Sequence, residues 1–314
     1  MYRAHFGLKE LPFTITPDTS FFFAHSSHQE AINTLLLAVR SGEGFMKVTG
    51  EVGTGKTLLC RKFLASLDHH EFITAYIPNP YLDPLTLLLA VADELGFKYK
   101  QDTNQHQLLK WLTRYLVDAY ADNKRVVLCL DEAQAMPIET LESLRLLTNL
   151  ETERRKLMQV VLFGQPELNT RLDNPSIRQL KQRISFSCQL SPLSLSEIEF
   201  YIPHRLTIAG YRGSRLFSRK AVKELYRGSR GIPRLLNVLA HKSLMAAFGE
   251  GARLVSEKHV HMAVDDTEST HMEKTMKMRL RKYFSALVSS VVVGLLTLVA
   301  AAHAWAPRLG SFWV

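Results

Sequence analysis

The chain is poor in cysteine. Cys60, Cys129 and Cys188 are far apart, odd in number and without a Cys-x-x-Cys pair. That spacing excludes a disulfide framework and a zinc site, and it fits a reducing compartment. The opening Met1-Tyr2-Arg3-Ala4-His5-Phe6 leads into no long apolar stretch, so no secretory signal peptide is expected. Internal repeats and low-complexity tracts are also missing. Acid is in short supply, with 30 Asp and Glu against 39 Lys and Arg. A net charge of +9 suits nucleic acid, anionic lipid or simply a soluble surface. One stretch lacks charge altogether: no Asp, Glu, Lys or Arg lies between Lys282 and Arg308.

What is present is a globular composition, 46% hydrophobic and 22% charged, long enough for two compact units with a sizeable core. Residues 1–25 are rich in Phe, Pro and turn formers and read as an irregular lead-in that packs on the first domain. Ser27-His28-Gln29-Glu30 has the form of a capping box and predicts a helix to Val39. Strands are predicted at Phe45–Thr49, Phe72–Ile77, Val126–Leu130, Gln159–Phe163 and Ile184–Leu190. Helices are predicted after residue 55, and over Pro84–Leu95, Gln105–Tyr120 and Pro137–Leu150. The run Val126-Val127-Leu128-Cys129-Leu130 is apolar throughout, as in a strand buried on both faces of a parallel sheet. This alternation predicts an α/β domain over 26–193, a three-layer parallel sheet with helices on both faces. Only helical patterns follow over 194–266, which predicts a small all-helical lid domain.

Gly50-Glu51-Val52-Gly53-Thr54-Gly55-Lys56-Thr57 matches the phosphate-binding loop G-x-x-x-x-G-K-[ST] at every fixed position, between a strand and a helix. Gly53 and Gly55 let backbone N–H groups turn toward phosphate oxygens, which a Cβ would obstruct. The helix N-terminus, beginning near Lys56 and Leu58, adds partial positive charge. Lys56 is expected to reach the β and γ phosphates, and Thr57 to offer its hydroxyl to Mg²⁺. Asp131 and Glu132, at the end of the apolar strand, have the form of a Walker B motif. Asp131 would hold Mg²⁺ and Glu132 would polarise the attacking water. ATP and Mg²⁺ are therefore the expected cofactors, and ATP hydrolysis the expected reaction.

Three further features concern γ-phosphate. Gln165, at the tip of the strand Gln159–Phe163, is placed to sense the γ-phosphate or the lytic water. Arg183, with Arg178 as the second candidate, precedes the last strand and would project from the domain edge toward a neighbour's ATP. Pro233 opens a helix and aims Arg234 from the lid back toward the nucleotide.

Together, the phosphate loop, Asp131-Glu132, Gly164-Gln165-Pro166-Glu167-Leu168, Gln182-Arg183-Ile184 and Gly231-Ile232-Pro233-Arg234 resemble an AAA+ ATPase. With the opening His5-Phe6-Gly7-Leu8-Lys9-Glu10-Leu11-Pro12-Phe13 and Thr16-Pro17-Asp18, residues 1–270 are similar to the secretion ATPase group typified by ExeA/GspA. That group includes the ATPase of mannose-sensitive haemagglutinin (MSHA) pilus biogenesis. The resemblance implies sensor 1 at Gln165, an arginine finger at Arg183 and sensor 2 at Arg234. Group members often carry a peptidoglycan-binding domain beyond a membrane span. The present sequence has none, so the resemblance is to the shorter type IV pilus kind.

Residues 284–304 match the roughly 20 residues needed to cross a bilayer core. Tyr283 and Trp305 bracket them at interfacial depth. Lys274, Lys277, Arg279, Arg281 and Lys282 precede the run and only Arg308 follows it. This predicts a basic juxtamembrane linker over 267–283, a single-pass transmembrane helix and a short extracytoplasmic tail over 305–314. The positive-inside rule puts the ATPase in the cytoplasm, at the inner membrane. Anionic lipid, inner-membrane pilus or secretion proteins and further copies of the chain are the expected partners. The alternative is a DNA-acting AAA+ regulator of the transposition or replication type, which +9 would suit. No zinc finger or clear helix-turn-helix is present, and nucleic acid is not the expected partner.

Overall fold

Alternating apolar strands and helices give one five-stranded parallel sheet in a computed structural model that describes residues 2–16, 18–99, 103–148 and 156–267. A short helix, α1 (Tyr2–Phe6), opens the chain, and α2 (Ser26–Ser41) leads to β1 (Phe45–Gly50). Then come α3 (Lys56–Ala65), β2 (Phe72–Ile77), α4 (Pro84–Glu94), α5 (Gln105–Ala121) and β3 (Arg125–Leu130). They are followed by α6 (Ile138–Thr148), β4 (Met158–Gly164), α7 (Glu167–Leu172), α8 (Arg178–Gln182) and β5 (Phe186–Leu190). Four helices close the described chain: α9 (Leu195–Ile208), α10 (Arg219–Ser229), α11 (Pro233–Gly249) and α12 (Glu257–Asp265). The chain divides into two units after Val260.

The strand order is β2-β3-β4-β1-β5, every pair parallel. Period-two alternation sorts β3 onto two cores. Val126, Leu128 and Leu130 face the cluster that holds α4, α5 and α6. Val127 and Cys129 face the cluster of α2 and α3, where Cys60 is also buried as a free thiol. All five β3 side chains from Val126 to Leu130 are fully buried, worth about 1.5–3 kcal/mol for each large aliphatic group. This is the three-layer arrangement that continuous apolar strands require.

Local details differ from expectation. α2 has no capping box: His25 is its N-cap, and its side chain makes no capping hydrogen bond. The Glu197 carboxylate, from α9, accepts from the Ser26 N–H instead, so a tertiary contact replaces the local one. β5 begins at Phe186, two residues late: Ile184 N–H still donates to Lys181 O in the turn that closes α8, and Ser185 N–H is the first to reach β1, at Phe45 O. The lead-in is not wholly irregular and does not pack on the α/β part alone. Tyr2 and Phe6, one helical turn apart, bury themselves, and the Tyr2 hydroxyl meets His241 of α11 at 2.8 Å. Phe22 returns to the sheet side and stacks on His28 of α2.

Residues 268–283, the expected membrane span 284–304 and the tail 305–314 lie outside the described residues. Among the described residues no helix is long and apolar enough to cross a membrane.

Candidate active site

Strand order assembles the site. β4 lies between β3 and β1, so the loops leaving three adjacent strands open at one carboxyl edge, where open parallel sheets bind ligands. Leu130 pairs with Leu162 and Thr49 pairs with Gly164. Asp131, Glu132, Gln165 and the start of the phosphate loop therefore emerge nearly level.

The loop from Gly50 to Gly55 is built as its sequence demands. Gly53 (φ +83°) and Gly55 (φ +93°) occupy left-handed backbone that other residues rarely adopt. Lys56 is 5% exposed, and its ammonium donates to Gly50 O at 2.9 Å and Glu51 O at 3.0 Å. Burial lowers its pKa, opposed by Glu132 and Asp131. The Thr57 hydroxyl donates to Asp131 Oδ2 at 2.6 Å, and the Tyr76 hydroxyl donates to the same oxygen at 3.3 Å. Asp131 is almost fully buried, and that burial raises its pKa against these bonds. A hydroxyl and a carboxylate held side by side below a glycine cradle are hard oxygen donors suited to Mg²⁺ with phosphate.

Glu132 sits at φ 53°, ψ 37°, a strained conformation for a residue with a side chain. Its Oε2 accepts from Gln134 Nε2 at 2.6 Å and from Gln165 Nε2 at 3.1 Å. Gln134 Oε1 in turn accepts from the Gln165 N–H at 2.9 Å. A Cβ on Gly164 would lie 3.2 Å from that Gln134 oxygen and 2.8 Å from Leu168 Cδ2, so the glycine makes room for the amide.

The helical part reaches the same cleft. Arg234 N–H donates to Gly53 O at 3.1 Å, and Arg234 Cβ lies 2.7 Å from where a Gly53 Cβ would stand. Lys56, Thr57, Glu132, Gln165 and Arg234 all line one cleft of about 350 Å³. The cleft is also lined by Thr14 and Ile15 of the lead-in with Val52, Leu58, Pro233 and Asn237. Arg205 pins this lead-in: its guanidinium donates to Pro12 O at 2.5 Å and lies over the Phe21 ring. Arg183 and Arg178 do not line the cleft. Arg183 donates to Arg145 O at 3.4 Å beyond α8, and Arg178 is exposed near Asp173 and Lys181.

Sequence reading missed several neighbours. Gln134 was readable only as a polar residue after Walker B. His28 was readable only as part of a capping box. Its Nε2 lies 2.9 Å from Thr54 O, and since a carbonyl can only accept, Nε2 carries the proton. Burial and nearby His25 depress its pKa to about 4. Glu197 accepts from Ser26 and Ser194, joining the starts of α2 and α9.

This fold and site define an AAA-type P-loop ATPase. An AAA domain model matches residues 39–172. The chain is 40% identical over 280 residues to "General secretion pathway protein A" of Aeromonas hydrophila, covering 89% of this chain and 51% of that protein. It thus spans about half the length of this curated relative. Residues 39–172 thus carry an AAA domain, and the chain is similar to that general secretion protein over 280 residues. Solved structures of similar fold include Cdc6p from Pyrobaculum aerophilum, with TM-score 0.58, 18% identity, and coverage of 79% of this chain and 70% of that one. The Aeropyrum pernix ORC2 protein aligns with TM-score 0.56, 19% identity and coverage of 80% and 72%. A Walker-type ATPase of Pyrococcus abyssi aligns with TM-score 0.57, 13% identity and coverage of 86% and 80%.

Proposed function

We propose that this ATPase supports assembly of a secretion apparatus or an MSHA-like type IV pilus, anchored in the inner membrane by residues 284–304 with its catalytic part cytoplasmic. The observation that carries the reading is 40% identity across 89% of the chain to a protein named for general secretion. The uncharged run 284–304 behind a basic linker supports the anchor, and the sequence resemblance supports the pilus branch.

In this reading the loop N–H groups and Lys56 cradle the phosphates of ATP, and Thr57 and Asp131 hold Mg²⁺. The ion, when bound, neutralises phosphate charge and orients the γ-phosphate. Glu132 takes the proton from the attacking water. Its Oε2 is occupied by two amides, while Oε1 has no hydrogen bond among the described residues. Gln165 reports on γ-phosphate through the same carboxylate. Arg234 serves as sensor 2, because its backbone is already fastened to the loop it would read. Residues 194–266 act as the lid. Arg183, outside the cleft of its own chain, completes the site of a neighbouring copy, with Arg178 as the alternative. Val52, Ile15 and Pro233, apolar residues that line the same cleft, would hold the purine ring.

Replacing Lys56 by Ala in cells is expected to abolish surface pili or secretion while the protein remains membrane-bound. Normal pili and secretion in that strain would overturn the assembly role. Recovery of the whole intact chain in the soluble fraction would overturn the anchor.

A further inference from the structure

α10 carries a charge pattern that the nucleotide site does not use. Ala221, Val222 and Leu225 are buried on one side of it. Arg219, Lys220, Lys223 and Arg227 are exposed, and their spacing confines them to an arc of about 100° on the other side; Arg230, just past the helix end, is exposed too. From Arg205 to Arg234 the chain holds nine Lys and Arg but one acid, Glu224, which is bonded to Arg227. Arg212 and Arg215, in the loop before α10, are exposed as well. Solubility is served by interspersed signs, whereas a one-sign face is a device for attracting an anionic surface.

We propose that this face of α10 docks on anionic phospholipid headgroups and that docking regulates the ATPase through Arg234. The proposal rests on the membrane-anchored reading above and adds an effector to it. Lipid is favoured over nucleic acid by the chemistry of the face. It presents charges alone, with no exposed amide to read a base edge and no exposed aromatic ring to stack on one. The same chain also supplies a second basic set, Lys274 to Lys282, directly before the uncharged run, so one leaflet would be offered to both sets at high effective concentration.

The link to the site is short and stiff. α10 ends at Ser229. Arg230 (φ 53°) and Gly231 (φ +76°) form a left-handed turn. A Cβ on Gly231 would lie 2.0 Å from Leu193 O, so this turn admits glycine alone. Ile232 and Arg234 then lie directly on Gly53. Seating α10 on a charged surface would fix the angle at which Arg234 meets the phosphate loop.

The test uses the full chain on phosphatidylcholine vesicles and on vesicles with about one-third phosphatidylglycerol. Amine-reactive labelling of Lys220 and Lys223 is followed together with ATP turnover. Phosphatidylglycerol is expected to slow labelling of both lysines several-fold, to change turnover at least about threefold, and to lose both effects in high salt. The triple variant R219E/K220E/K223E is expected to keep its rate on phosphatidylcholine, which reports intact folding, and to lose the response. The milder R219Q/K220Q/K223Q provides the same comparison should the first variant misfold. Equal labelling and equal turnover on both vesicle types would overturn the proposal. Protection by duplex DNA but not by phosphatidylglycerol would also overturn it, in favour of nucleic acid. If the chain washes off phosphatidylcholine vesicles, the anchor fails, while labelling with phosphatidylglycerol vesicles added from outside still judges α10.

Discussion

Replacing His28 by Phe tests the buried contact between α2 and the phosphate loop. His28 is 4% exposed, and its ring meets His25 at 4.0 Å between centroids. Its Nε2–H donates to Thr54 O, and its Cε1 lies 3.1 Å from where a Gly55 Cβ would be. Phenylalanine fills similar space but leaves that carbonyl without its donor, which costs about 1–3 kcal/mol at neutral pH. The pH dependence is the sharper readout. Burial depresses the folded pKa from 6.5 to about 4. In the unfolded chain the imidazole takes up a proton as pH falls through 6.5, while the folded chain stays neutral until about 4. Stability is therefore full above 6.5 and is lost as pH falls toward 4. Between about pH 7.5 and about pH 4.5 this one group removes about 2.5 kcal/mol, because a tenfold difference in proton affinity is worth about 1.36 kcal/mol. Urea unfolding, followed by fluorescence of Trp111 in α5, is measured across that range for both proteins. The wild type should fall more steeply, so that the two curves converge by about 2.5 kcal/mol. Parallel curves would refute the assignment of a neutral buried His28.

Glu132→Gln should retain ATP binding and lower turnover by at least about 100-fold, measured by single-turnover hydrolysis; unchanged turnover would remove Glu132 from its role. Gln134→Leu removes one amide from Glu132 and one acceptor from Gln165. It should lower kcat about tenfold with KM nearly unchanged, since it acts on orientation rather than on binding; a change confined to KM would contradict this. Glu197→Ala should cost about 2 kcal/mol in urea unfolding, because the acceptor at the start of α2 and the reciprocal half of the α9 capping box are lost, while Ser194 Oγ keeps the N–H of residue 197. Burial alone would raise the Glu197 carboxyl, but bonds from Ser26 and Ser194 outweigh it and bring the pKa to about 2. Its contribution is present above pH 4.5 and lost as pH falls toward 2, so the variant should unfold less steeply than wild type in that window.

Four short runs rich in apolar and β-branched residues were enough to locate four strands, and the more polar stretch Ile184–Leu190 located the fifth. The phosphate loop, Asp131 and Glu132 were legible too: their chemistry is carried by residue types at fixed local spacing. Gln165 could be placed at a strand tip but not bonded to Glu132, because that contact depends on β3 and β4 being neighbours. The capping-box reading of Ser27 to Glu30 failed because Glu197, 171 residues from Ser26, supplies the acceptor. His28 and Gln134 gave no motif. His28 matters only because α2 crosses the loop, and Gln134 only because Gly164 leaves it space.

The sequence by itself thus determined the element types, the glycine-rich loop motif with Asp131 and Glu132, and the basic and uncharged segments at the C-terminal end. Local propensity, glycine conformation and charge act over a few residues and need no partner. The tertiary structure decided which strand tips meet, that the lead-in lines the cleft, that Arg234 rests on Gly53, and that the cations of α10 share one exposed face. Those are contacts between distant segments, set by which apolar faces can be buried together, and no local pattern encodes them.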